Sequence, residues 1–251
     1  MTWHSSNSKV ARVNSKGFIT ALGTGTTTIT VKTKNGKTAT CKVTVRADKD
    51  TLQVLFVGNS KTYVNNIPSK FKSLAKSKGY NVTVTSATIG GTKLYDVANK
   101  KKSILTDKAY DYVIMQEQSA AYQNYSTFLK GAKQVKKYAT QKNPNAKLFV
   151  RQVWLYKNTK NTTTIYKNAA NVANAISASL IYDGKAFYST PSSINLFTDD
   201  RHQSNAGAYL SACCIYSSVF KKTPVGLSYK AGLSSATALK LQKIAAKASG
   251  F

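Results

Sequence analysis

The hydrophobic period of this chain changes once, near Asp48, so one polypeptide must hold two kinds of fold. Before that point, apolar and β-branched residues alternate with polar ones over Lys9–Val13, Gly17–Leu22, Thr26–Lys34 and Lys37–Val45. That is the period of half-buried strands. The turn residues Asn14-Ser15-Lys16-Gly17, Gly23-Thr24-Gly25 and Asn35-Gly36 separate them. The last pair predicts a type I′ hairpin, which needs positive φ at both central residues. After Asp48, apolar strands over Thr51–Val57, Asn81–Ala87, Tyr110–Met115, Lys147–Val153 and Leu180–Tyr182 alternate with helical patterns. The helices are predicted over Ile67–Lys78, Ser126–Gln141, Thr162–Ala178, Asn205–Phe220, capped by Ser204, and Ser234–Ala248. Strands alternating with helices predict a three-layer α/β/α domain on a parallel sheet. The expected organisation is a β-domain over 1–46, a linker over 47–50 and an α/β domain over 51–251.

A chain of 251 residues with 42% hydrophobic content can bury a core, which excludes wholesale disorder. No apolar run approaches about 18 residues, so no helix is expected to cross a membrane. The first twenty residues lack the apolar stretch of a secretory signal, so no signal peptide is expected in this chain. The net charge is +28, yet only Arg12, Arg46, Arg151 and Arg201 among the 37 cations are arginine. The lysines are spread among Asn, Ser, Thr and Tyr, the pattern of a solvated exterior. Specific nucleic-acid readers concentrate arginine on one face, so no such partner is expected. Attraction to an anionic cell-wall polymer and no specific role remain equally open for the charge. Cys41, Cys213 and Cys214 lack metal or disulfide spacing, and packing is expected for all three.

Ligands of open parallel sheets bind beyond the carboxyl ends of the strands. Four polar segments are expected around those ends: Gly58-Asn59-Ser60, Gly90-Gly91-Thr92, Gln116-Glu117-Gln118-Ser119 and Thr198-Asp199-Asp200-Arg201-His202. They supply a hydroxyl, close-approach glycines, amides, carboxylates and an imidazole. The chain has two histidines. His4 has no acid near it in sequence, which leaves His202, three residues after Asp199, as the candidate general base. One histidine and few acids do not make a usual metal-ligand set, so neither metal nor cofactor is expected.

The first segment resembles a bacterial Ig-like group 2 domain, through Trp3-His4-Ser5-Ser6-Asn7, Val10-Ala11, Gly23-Thr24-Gly25, Thr28-Ile29-Thr30-Val31 and Ala39 to Val45. That family's domains normally begin further upstream, so the resemblance implies either a sandwich truncated here, with an exposed edge, or one that another part of a longer protein completes. It implies a surface or adhesion accessory, not chemistry. Residues 51 to about 225 resemble the SGNH (GDSL-like) hydrolases. Gly58-Asn59-Ser60 stands where that family has Gly-Asp-Ser, and Gly91 matches the second-block glycine. Gln116-Glu117-Gln118 replaces Gly-x-Asn, and Asp199-Asp200-Arg201-His202 matches Asp-x-x-His. Trp154 and the helix residues Tyr209, Leu210, Ala212 and Cys213 suit a bacterial branch of the superfamily.

The resemblance implies Ser60 as nucleophile, His202 as base and Asp199, rather than Asp200, as the orienting carboxylate. It implies an oxyanion hole from the backbone N–H groups of Ser60 and Gly91 and the side chain of Gln118, with Gln116 as the fallback donor. Glu117 is open between a carboxylate supporting the site and an exposed loop charge, and Gly90-Gly91 between an oxyanion role and a tight turn. Tyr122, Tyr125, Trp154 and Tyr156 follow strands and can line a pocket or pack. The implied activity is a secreted or cell-surface serine esterase that removes small acyl groups, acetyl foremost, from carbohydrate. The alternative is a non-catalytic wall- or glycan-binding module on the same fold; a polyanion binder driven by charge is a third, distant reading.

Overall fold

The computed structural model describes residues 1–45, 51–159 and 162–251. The expected linker, 47–50, and residue 46 lie outside the described residues. The chain divides into two compact units, Met1–Asp50 and Thr51–Phe251.

In the first unit β1 (Thr2–Ser5) pairs antiparallel with β4 (Gly25–Lys32), which pairs antiparallel with β5 (Thr38–Val45). A second hairpin joins β2 (Ala11–Val13) to β3 (Ile19–Ala21). Val10, Ala11, Thr27 and Ile29 are buried, whereas Phe18, Ile19 and Leu22 are exposed, so this core is thin. The Asn35-Gly36 turn differs from the expected type I′. Only Gly36 has positive φ there (82°), its N–H donates to Thr33 O, and Thr33 N–H donates to Lys37 O. This is a three-residue loop, a type I turn closed by a left-handed glycine. Cys41 is exposed on β5, so it does not pack as expected, whereas Cys213 and Cys214 are buried.

The second unit is built on β6 (Leu52–Gly58), whose Val54 to Val57 are buried on both faces. Two short helical turns, α1 (Ser60–Tyr63) and a 3₁₀ turn at Val64–Asn66, lead into α2 (Ile67–Lys76). Asn66 caps α2 by accepting from Ser69 N–H. The chain then runs through β7 (Val82–Thr88), α3 (Leu94–Lys100), α4 (Lys102–Leu105), β8 (Tyr112–Met115), α5 (Tyr125–Ala139) and β9 (Lys147–Arg151). It ends with α6 (Thr163–Ala175), β10 (Ser179–Ile181), α7 (Asp183–Tyr188), α8 (Asn205–Phe220) and α9 (Ser235–Ala248). All five strands are parallel, in the order β7-β6-β8-β9-β10. The helices α2, α7, α8 and α9 pack together, as do α3, α5 and α6, giving the expected three layers.

The order reverses between β6 and β8, so their carboxyl ends diverge to α1 and to Gln116–Ser119. Such a switch point opens the crevice where ligands bind in this architecture. Helix α8 is apolar all round and buried from Ala206 to Val219, as a central helix must be. Ser204 caps it through Gly207 N–H, as expected. A Cβ on Gly207 would stand 2.4 Å from Leu196 O, so glycine is what lets the loop before α8 close onto it.

Buried polar bonds hold the carboxyl end of the sheet together. Arg151, the last residue of β9, donates from Nε and Nη2 to Asp183 Oδ2 at 2.8 and 2.6 Å. Its Nη1 donates to Lys61 O and Thr62 Oγ1, and its Nη2 to Ser211 Oγ. Arg151 thereby joins β9, α7, α8 and α1 without exposure to water. Removing one partner of such a pair strands a buried charge, which costs about 3–5 kcal/mol. Asp183→Ala is therefore expected to lower the unfolding free energy of this unit by about that amount in urea titrations.

Candidate active site

Ser60 follows β6 directly and opens α1. Asn59 caps this turn, its Oδ1 accepting from Lys61 N–H at 3.2 Å. The cap is itself clamped: Gln116 Oε1 accepts from Asn59 N–H and Thr62 Oγ1, and Gln116 Nε2 donates to Asn59 Oδ1. Asn59 Nδ2 donates onward to Thr92 O, linking the Ser60 turn to the Gly90-Gly91-Thr92 loop. An ionised aspartate at position 59 could not donate that bond, which gives the asparagine a structural reason.

The residues expected from distant parts of the chain meet. His202 Nε2 lies 2.9 Å from Ser60 Oγ, and His202 Nδ1 lies 2.7 Å from Asp199 Oδ2. Asp199 Oδ1 accepts from the backbone N–H groups of Arg201 and His202. The imidazole bond first, and then these two N–H groups, hold the Asp199 carboxyl well below the usual carboxylate range. A carboxylate only accepts, so Nδ1 carries the proton and Nε2 is free to accept from the serine hydroxyl. Asp200 is exposed, and its carbonyl accepts from Lys157 N–H.

A cleft of about 300 Å³ opens over this chain of bonds, lined in part by Ser60, Gly91, Gln118, Tyr63, Tyr156 and Arg201. Gly91 has φ of 64°, which glycine adopts without strain. Gln118 Oε1 accepts from Ala121 N–H, which leaves its Nε2 to face other acceptors. Among the described residues, the N–H groups of Ser60 and Gly91 and the Gln118 Nε2 have no acceptor. The structure thus places Ser60, Gly91 and Gln118, the residues of the three expected donors, around one cleft, but not Gln116. Both ends of the Gln116 amide are bonded beneath the Ser60 turn, and its side chain is fully buried. Its fallback role is set aside, because an amide already spent on the turn cannot serve the cleft.

Glu117 is buried, not an exposed loop charge. Its Oε1 accepts from the N–H of Gln118 and from that of Leu94, which caps α3 from 23 residues away, while Oε2 has no partner. Burial pushes this carboxyl up to about 7 against the pull of those two N–H groups. Of the four aromatics, only Tyr156 lines the cleft. Tyr122 is buried with its hydroxyl on Arg151 O, and Tyr125 is exposed at the start of α5. Trp154 is buried, stacks on Phe187 at 3.7 Å and donates from Nε1 to Arg201 O.

Lys61 is the residue the sequence did not single out. Its side chain is buried, and its Nζ donates to Leu155 O and Arg201 O, both at 2.7 Å. With Trp154, it fixes the peptide that precedes His202. Gln203 Nε2 to Val64 O and Asn65 Nδ2 to Gln203 O tie the same loop to the far side of α1. Among so many lysines, nothing local marks this one; only its place beside Ser60 could have. Burial, and next the Arg151 charge, lower its ammonium from 10.5 to about 7. The unfolded chain therefore binds the extra proton between about pH 7 and 10.5, and stability gains with pH across that window. Below about pH 7 the cost of burying the charge applies in full. Lys61→Met removes this titration. The stability of wild type relative to the variant is expected to rise from pH 7 to 10 in parallel urea titrations, and a flat difference would contradict the buried amine.

A family model for the bacterial Ig-like domain (group 2) matches residues 1–43. No curated protein matches the chain. Among solved structures, a DUF4886 family protein from Bacteroides uniformis superposes with a TM-score of 0.69 at 17% identity, covering 79% of this chain and 94% of that one. A proposed SGNH hydrolase from Slackia heliotrinireducens gives 0.55 at 22% identity, covering 67% and 99%. A family 3 carbohydrate esterase from Clostridium thermocellum gives 0.58 at 12%, covering 68% and 96%. Among the described residues, no helix is long and apolar enough to cross a membrane. The chain thus joins a segment matching the bacterial Ig-like (group 2) domain to an α/β unit with the SGNH hydrolase fold.

Proposed function

We propose that the α/β unit is a serine esterase that removes small acyl groups, acetyl foremost, from carbohydrate outside the cell. The observation that carries this reading is the run Ser60 Oγ–His202 Nε2–Nδ1–Asp199 Oδ2, at 2.9 and 2.7 Å, between residues far apart in the sequence. In this reading Ser60 Oγ attacks the ester carbonyl carbon while His202 Nε2 takes its proton. The carbonyl π electrons move to oxygen, where the N–H groups of Ser60 and Gly91 and the Gln118 amide receive the charge. Collapse expels the sugar alkoxide, which takes the proton back from His202. Water, deprotonated by the same imidazole, then releases the acid and restores Ser60. Asp199 keeps Nδ1 protonated throughout. The carbohydrate assignment is supported by the Ig-like match and by the fold shared with a carbohydrate esterase, and the extracellular site by that same match.

Hydrolysis of a p-nitrophenyl acetate to butyrate series tests the reading. Turnover is expected to favour acetate and to fall at least about a thousandfold in Ser60→Ala. A base must be unprotonated to accept, so the rate is expected to drop toward acid pH. Equal rates in wild type and Ser60→Ala would refute the mechanism. Gln118→Ala removes one oxyanion donor and is expected to lower kcat by about 10²–10³-fold with little change in KM. An unchanged kcat would leave the hole to the two backbone N–H groups.

A further inference from the structure

The Ser60 cleft is the first of three hollows in series. Tyr156 borders the cleft and also a second hollow of about 470 Å³. The second shares Lys157, Asn158, Asn195 and Phe197 with a third, of about 370 Å³, that runs on toward Pro191 and Ser192. A lone acetyl ester needs only the first. An acyl chain would want a continuous apolar slot, but the second hollow interrupts one with Asn158, Asn195, Asp199 and Asp200 around Tyr156 and Phe197, before the third turns more apolar at Phe187, Ile194 and Leu196. The Asn158 side chain bonds no other described residue, and the Arg201 guanidinium lies over the Tyr156 ring at 5.8 Å. Phe197 packs edge-on against Phe187, which stacks on Trp154, so this wall is continuous with the core. Aromatic rings beside amide side chains suit a ligand that is apolar on its ring faces and hydroxylated at its edges.

Resting on the esterase reading, we propose that these hollows form one groove for a glycan chain. The ester-bearing sugar lies at Ser60, and its neighbours cross Tyr156, Asn158 and Phe197. The substrate class is therefore an acylated oligo- or polysaccharide, not a free monosaccharide ester. The position of Asp199 adds a consequence. Its side chain is 53% exposed and borders the second hollow while bonding His202. A sugar seated there excludes water from the carboxylate, and the lower local dielectric strengthens its bond to the imidazole. Chain length then raises kcat as well as lowering KM.

The test uses the full chain with acetylated xylo- and chito-oligosaccharides of one to four sugars. In at least one series, kcat/KM is expected to rise roughly tenfold from one sugar to four, partly in kcat, and Tyr156→Ala and Asn158→Ala to flatten that rise. Ser60→Ala, which cannot turn over, is expected to bind the unacetylated tetrasaccharide more tightly than the monosaccharide in calorimetry. Length-independent kinetics and length-independent binding in both series would overturn the groove. Failure of the esterase reading looks different: no Ser60-dependent turnover of p-nitrophenyl acetate, with calorimetry on Ser60→Ala still deciding the groove.

Discussion

The turn that presents Ser60 stands on buried polar side chains whose bonds fix one another. Thr62 Oγ1 donates to Gln116 Oε1 and accepts from Arg151 Nη1, so a single hydroxyl couples the loop after β8, the end of β9 and α1. Gln116 holds the cap residue Asn59 from both sides, and Arg151 holds Lys61 O. In a low-dielectric interior such a chain is strong when every member is matched and costly when one is lost. A four-residue helix has little stability of its own, because so few residues cannot offset the cost of helix nucleation. Its position comes from the strands below it.

The second half of the site takes its position from the same short helix. Lys61 and Trp154 both donate to Arg201 O, and Gln203 donates to Val64 O and accepts from Asn65 in the 3₁₀ extension. The distance between Ser60 and His202, 142 residues apart in sequence, is therefore fixed by backbone carbonyls rather than by the Ser60–His202 hydrogen bond alone. The Gly91 and Gln118 side of the cleft is tied in likewise: Asn59 reaches Thr92, and Glu117 joins the start of α3 to Gln118.

What the sequence makes legible follows from where the information sits. The strands and long helices carry their own periods, so α8 falls at Asn205–Phe220 as expected and the other long elements shift by a few residues. Asp199 and His202 are readable because acid and imidazole are scarce types in this chain, and Ser60 because it directly follows the first strand of the α/β unit. α3 is hidden because its cap is Glu117, supplied across the fold rather than by Lys93. Similarly, α7 begins on Asp183, whose partners are Arg151 and Ser211. The clamp role of Gln116 is equally hidden, since in sequence it differs from Gln118 only by two positions in one loop. The backbone path turns one amide beneath the Ser60 turn and the other toward the cleft.

The strong positive charge of the chain says little about the electrostatics of its site, which are set by short-range bonds. Three carboxylates near the sheet ends meet three environments. Asp183 faces a guanidinium, Asp199 has an imidazole and two N–H groups at the surface, and Glu117 has two N–H groups and one unmatched oxygen in the interior. Hence Asp199 stays an anion across the working range, while burial lifts Glu117 to about 7. The nearest ammonium, Lys61, is committed to two carbonyls and sits over the face of Trp154 at 4.9 Å. It therefore acts on the His202 loop by holding it, and the many solvated lysines beyond it are screened within about 8–10 Å of salt water. The charge that aligns Ser60, His202 and Asp199 is local.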